Sequence, residues 1–209
     1  MVSHDARVVF VHVQKTGGST IDAFLRAALP DGGGVNTRGG GRHARLRQIL
    51  RTNPELTKYW IFGFVRNPWA RLLSWHSMII RRRDAAAAGD EEATRRIGRN
   101  DMWRAVIDDY TDFDTFVLRG LDEIPTLHWP QVSYLQSKNR IADFIGRQET
   151  FDADMSAVLA RIGLEAPSEF GRTNAAPDPH AYRDAYTPAM RDKVAQVFVR
   201  DLRAFSYEF

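Results

Sequence analysis

Arg7-Val8-Val9-Phe10-Val11-His12-Val13-Gln14-Lys15-Thr16-Gly17-Gly18-Ser19-Thr20 is the stretch that decides the fold. Arg7–Val13 is β-branched and apolar and predicts a buried parallel strand. Two glycines then permit a turn. Beyond it Ile21, Phe24, Leu25 and Leu29 recur at helical spacing until Pro30 closes the helix.

The same alternation continues downstream. Tyr59–Val65 predicts a second buried strand that stops at Arg66-Asn67-Pro68. Asn67 can cap and Pro68 can take the first helical position, so a helix is expected from there to about Arg83. Ile141–Ile145 predicts a third strand, followed by a helix with Met155, Val158, Leu159 and Ile162 on one face and Gly163 at its end. Leu46, Ile49 and Leu50 mark a short helix, as do Phe113, Phe116 and Val117. Met190, Val194, Val197, Phe198 and Leu202 predict one last helix. Asp84 to Asn100 reads as an exposed excursion, and Asp31 to Gly41, with six glycines, as a flexible loop. No repeat interrupts the series. Strands separated by helical crossovers indicate an α/β protein with a central parallel sheet flanked by helices, in a single domain over 1–209.

Composition narrows the function classes. The 209 residues are 44% hydrophobic and 26% charged, which are ordinary globular values. Absence of cysteine removes disulfides, thiolate metal sites and cysteine nucleophiles. The early apolar run Val8–Val13 is too short for a signal-peptide core or a membrane span, so the expected location is cytoplasmic. A net charge of +3 is too mild to indicate a nucleic-acid partner. Lys15, Lys58, Lys138 and Lys193 are the only lysines among 29 basic residues, which leaves 25 arginines. That bias suits phosphate or sulfate ligands, and equally a G+C-rich coding sequence.

Two segments carry chemistry. In Lys15-Thr16-Gly17-Gly18-Ser19-Thr20 the glycines let backbone N–H groups converge on an anion at a helix N-terminus. Lys15 adds a cation, and Ser19 and Thr20 add hydroxyls. A nucleotide triphosphatase loop places its lysine after the glycines, whereas here it comes first. A plain strand–helix turn with a surface lysine is the other reading. The second segment is Arg66-Asn67-Pro68-Trp69-Ala70-Arg71-Leu72-Leu73-Ser74. Arg66 leaves a strand, Ser74 lies about two turns into the next helix, and Arg71 is expected close by. Triphosphatases usually end such a strand in a magnesium-binding aspartate.

Together these segments resemble the sulfotransferases that use 3′-phosphoadenosine-5′-phosphosulfate (PAPS). Lys15 to Thr20 is similar to their 5′-phosphosulfate loop, and Phe64-Val65-Arg66-Asn67-Pro68-Trp69 with Ser74 to their 3′-phosphate motif. His43 before the second strand resembles the carbohydrate (heparan/chondroitin-type) branch. The likeness continues in His128-Trp129-Pro130-Gln131, Phe144 to Glu149, Asn174 and the ending Asp201 to Phe209. The absence of an anchor segment looks like a soluble, bacterial-type member.

The resemblance implies a P-loop-like three-layer domain and an in-line, metal-independent transfer of a sulfuryl group from PAPS to a hydroxyl of a carbohydrate or other small acceptor, leaving 3′,5′-ADP (PAP). It implies that Lys15, Thr16, Gly17, Gly18, Ser19, Thr20, Arg66 and Ser74 bind the donor. It also implies a catalytic role for Lys15 and for His43 as base, with His128 as the second candidate. Arg147 is either a further anion contact or the partner of Glu149. Two other classes stay open on the sequence alone: an ATP-dependent phosphotransferase, and a non-catalytic glycan- or nucleotide-binding module.

Overall fold

The computed structural model describes residues 1–37, 41–171 and 181–209. Part of the glycine-rich stretch, 38–40, and the segment 172–180 with Asn174 and His180 lie outside the described residues. The strands are β1 (Val2–Ser3), β2 (Val8–Val11), β3 (Trp60–Val65), β4 (Gln136–Ser137), β5 (Arg140–Ile141) and β6 (Phe144–Arg147). Helices α1 (Gly18–Ala28), α2 (Leu46–Thr52), α3 (Pro68–Ala87), α4 (Glu91–Gly98), α5 (Asp101–Asp109) and α6 (Phe113–Leu118) come first. They are followed by α7 (Gly120–Glu123), α8 (Val132–Leu135), α9 (Phe151–Arg161), α10 (Pro188–Val197) and α11 (Val199–Phe205). The chain forms two compact units, Met1–Arg66 with Gln131–Pro177 and Asn67–Pro130 with Asp178–Phe209.

The first unit holds the central sheet, in the order β1-β2-β3-β6. β2, β3 and β6 are parallel, and β1 adds an antiparallel edge. Strand alternation sends Phe10, Phe62 and Phe64 to one face, where Ile21 and Leu25 of α1 and Phe151, Met155 and Leu159 of α9 bury them. Each such side chain contributes roughly 1.5–3 kcal/mol on burial. Val9, Val11 and Ile61, on the opposite face, are buried too. Gly63 lies among them because a Cβ there would run into Leu135 of α8. The result is a parallel sheet flanked by helices.

The second unit is helical. Asn67 caps α3 as expected: Oδ1 accepts from the N–H groups of Trp69 (3.0 Å) and Ala70 (3.5 Å). Its amide donates to the Tyr182 hydroxyl (3.2 Å) and the Glu208 carbonyl (2.8 Å), so the cap also ties down the C-terminal segment. Trp69, Leu72, Trp75 and Ile79 of α3 share a core with Phe116, Val194 and Phe198. No helix among the described residues is long and apolar enough to cross a membrane.

Three expectations need correction. The third strand is Phe144–Arg147 and not Ile141–Ile145, because Ile141 belongs to the β4–β5 hairpin and is 52% exposed. The stretch Asp84–Asn100 is largely helical: α3 runs on to Ala87, and α4 follows, capped by Asp90. The last helix is two, with a break at Phe198.

Candidate active site

In open α/β sheets ligands gather at the carboxyl ends of the strands. Here three basic residues stand at that edge of the first unit. Lys15 follows β2, Arg66 follows β3, and Arg147 ends β6 opposite Val65. The order β2-β3-β6 makes these three strands neighbours.

The loop after β2 is built to present backbone N–H groups. Lys15 has φ 68° and Gly17 φ 84°, so two left-handed residues flank Thr16. A lysine in that region costs on the order of 1–2 kcal/mol, strain of the kind that collects at ligand-binding loops. Thr16 is wholly buried, and its hydroxyl donates to the Val13 carbonyl at 3.0 Å, bracing the turn from inside. Gly17 caps α1 without a side-chain hydrogen bond, and the first turn of α1 carries no acidic residue. The N-terminus of an 11-residue helix therefore keeps its positive end without a built-in counter-charge. Gly18 has no room for a Cβ, which would collide with the His12 ring. These residues fit a bound phosphate or sulfate.

His12 is the floor under this loop. It is 5% exposed, and its ring is 5.5 Å from that of Phe10. Burial, then the neighbouring His43 and Arg42, push its pKa down to about 2, so it is neutral at any working pH. Its Nδ1 accepts from Arg42 Nε at 3.0 Å. The guanidinium of Arg42 also reaches Ser19 Oγ (3.4 Å) and Asp22 (3.5 Å) on α1.

His43 closes a 3₁₀ turn, Gly41–His43, and is half-buried. Its ring centre is 4.6 Å from that of His12. Nδ1 lies 3.1 Å from the His12 carbonyl. A carbonyl only accepts, so Nδ1 carries a proton, and in the neutral ring Nε2 is the lone-pair nitrogen. That is the tautomer of a general base working through Nε2.

Arg66 is held by its backbone. Gln131, wholly buried, accepts from its N–H and donates to its carbonyl. Arg147 is fixed similarly, its N–H donating to Asp154 at 2.7 Å while Thr150 bonds the same oxygen.

A family model described as the Sulfotransferase family matches residues 1–208. The chain belongs to the sulfotransferase family. No curated protein and no solved structure matches it.

Within the sulfotransferase reading, the structure brings Lys15, Thr16, Gly17, Gly18, Ser19, Thr20, His43, Arg66 and Arg147 into the sheet-bearing unit. Ser74 and His128 belong to the helical unit. Ser74 is half-buried on α3, and His128 Nδ1 lies 3.2 Å from the Leu121 carbonyl, so that nitrogen carries a proton, as Nδ1 of His43 does. Arg71, expected near the Arg66 ligand, is wholly buried in the helical unit, its guanidinium over the Trp75 ring at 5.1 Å. Sequence reasoning missed the contacts of Arg42 with His12 and Ser19 and the burial of His12 beneath the loop. The one available signal was that Arg42 adjoins His43.

Proposed function

We propose that this sulfotransferase moves the sulfuryl group of PAPS to a carbohydrate hydroxyl, through a P-loop-like anion cradle and without a metal ion. The observation that carries the reading is the α1 loop. Two left-handed residues and an acid-free first turn, with Lys15 between strand and helix, form a cradle suited to a 5′-phosphosulfate.

PAPS supplies an activated sulfuryl group on a phosphate. Each residue then has a task. Lys15 stabilises the charge that grows on the bridging oxygen as the S–O bond breaks. The N–H groups of the loop, with Ser19 and Thr20, hold the 5′ anion, and Thr16 contributes its backbone while its hydroxyl braces the turn. Arg66 reads the 3′-phosphate that separates PAPS from ATP, and the resemblance adds Ser74 to this task. Arg147, at the end of the neighbouring strand, adds positive potential at the same sheet edge. His43 Nε2 takes the proton of the attacking hydroxyl.

His43 is favoured over His128 as base because it matches the base position of the carbohydrate branch and stands against His12, beside the Lys15 loop. The carbohydrate acceptor rests on the resemblance of His43 and its surroundings to the carbohydrate branch.

Ligand preference tests the reading. Hydrogen bonds to charged groups contribute about 1.5–3 kcal/mol each, so PAP should bind at least roughly tenfold better than 5′-AMP. Arg66→Ala should erase that preference while unfolding remains cooperative. Equal affinities for PAP and 5′-AMP in the wild type, by calorimetry, would overturn the assignment of Arg66.

A further inference from the structure

Arg42 makes three separate contacts with residues distant from it in the chain. Arg83, Arg95, Arg96 and Arg104 pair with acids one to four residues away, as solvated helix residues do. Arg42 instead spans from its own 3₁₀ turn to the end of β2 and to α1. Nε donates to His12 Nδ1 (3.0 Å), and Nη2 lies 3.4 Å from Ser19 Oγ and 3.5 Å from Asp22.

These contacts bear on His43 directly. His43 meets the backbone carbonyl of His12, while Arg42 meets the side chain of the same residue. His12 itself cannot swing away, because Gly18 closes one side of its ring and Phe10 lies against it. Two consecutive residues of the turn, Arg42 and His43, are thus fastened to one immobile histidine. Ser19 and Asp22 extend the fastening to the first turns of α1, where the donor's anion is proposed to lie.

We infer that Arg42 is a positioning residue for His43: it clamps the Gly41–His43 turn onto His12 and α1, and so keeps Nδ1–H of His43 on the His12 carbonyl with Nε2 as the acceptor nitrogen. The inference rests on the reading of His43 as the base. Lysine is a poor substitute, since one ammonium lacks the planar fork that reaches His12 and Ser19 together. Neutrality of His12 is part of the device, because a protonated imidazole offers Arg42 no acceptor.

Arg42 is half-exposed, and Asp22 keeps Arg26 at 3.1 Å, so substitution should leave the fold intact. Arg42→Gln and Arg42→Lys are compared with wild type by imidazole ¹⁵N NMR and by steady-state transfer from PAPS. Wild type should show His43 as the Nδ1–H tautomer. Both variants should show mixed tautomers, kcat lower by roughly 10–100-fold as for a misplaced catalytic group, and KM for PAPS and PAP affinity within about threefold of wild type. Wild-type tautomer and kcat in both variants would overturn the inference. So would a parallel loss of PAP affinity and kcat with the tautomer unchanged, which would make Arg42 a donor ligand. If wild type fails to turn over PAPS, the function reading fails, yet the tautomer spectra still decide whether Arg42 positions His43.

Discussion

The side-chain amide of Gln131 satisfies both backbone polar groups of Arg66, Oε1 accepting from the N–H at 2.9 Å and Nε2 donating to the carbonyl at 2.7 Å. It acts as one more rung at the end of β3, where the chain leaves the sheet and the ladder stops. Gln131→Met keeps the volume and removes both bonds. An orphaned group costs about 1–3 kcal/mol when fully buried; these two bonds are part-buried, so the variant should lose up to roughly 2–6 kcal/mol of stability in urea unfolding. A loss below about 0.5 kcal/mol would show that Arg66 does not depend on Gln131.

Gly18 is required for space. Gly18→Ala drives its methyl into the buried His12 ring, and overpacking of this kind costs typically ~1–3 kcal/mol. PAP affinity should fall with stability, since the ring and the loop shift together. The double variant Gly18→Ala/His12→Ala should recover part of the PAP affinity, by calorimetry. Strict additivity of the two changes would mean that the ring and the loop are not coupled.

Acid should weaken the fold through buried histidines. The His12 pKa is depressed to about 2, and burial lowers that of His76 as well. In the unfolded chain both titrate near 6.5. Below that pH the unfolded state takes up protons that the native state refuses, so stability falls as pH falls, by up to about 1.4 kcal/mol per pH unit for each group. His12→Asn should lose less stability than wild type between pH 6.5 and pH 5. Parallel pH profiles would contradict the assignment of a neutral, buried His12.

His43→Ala should reduce turnover by ~10²–10⁴ with PAP affinity nearly unchanged, because loss of a general base acts on the chemical step. If His128→Ala shows that pattern and His43→Ala stays active, the base is His128.

What the sequence revealed was local. The strand–turn–helix from Val8 and the Asn67-Pro68 cap are written in consecutive residues, and both appear in the structure within a few residues of their expected bounds. Contacts between distant residues left no such trace. Gln131 is 65 residues from Arg66, and Arg42 is 30 from His12. A buried glutamine or a half-exposed arginine has no periodicity to betray its partner. Ile141 misled because an apolar residue beside a strand reads as part of it, whereas this one points outward from a hairpin. Helix α4 was hidden for the opposite reason: its Asp90 cap and its Arg95 and Arg96 pairs with Glu92 support it on a nearly uniformly polar stretch.

Sulfuryl transfer from PAPS, proposed for the Lys15–His43–Arg66 site, is measured as movement of ³⁵S from labelled PAPS to unsulfated glycosaminoglycan chains. The reaction is run in EDTA, with γ-labelled ATP and magnesium as the parallel donor. Arg66, standing where a triphosphatase places its magnesium-binding aspartate, leads to the expectation of transfer from PAPS in EDTA, none from ATP, and loss of transfer in Lys15→Ala. Label moving from ATP with magnesium and not from PAPS would contradict the account.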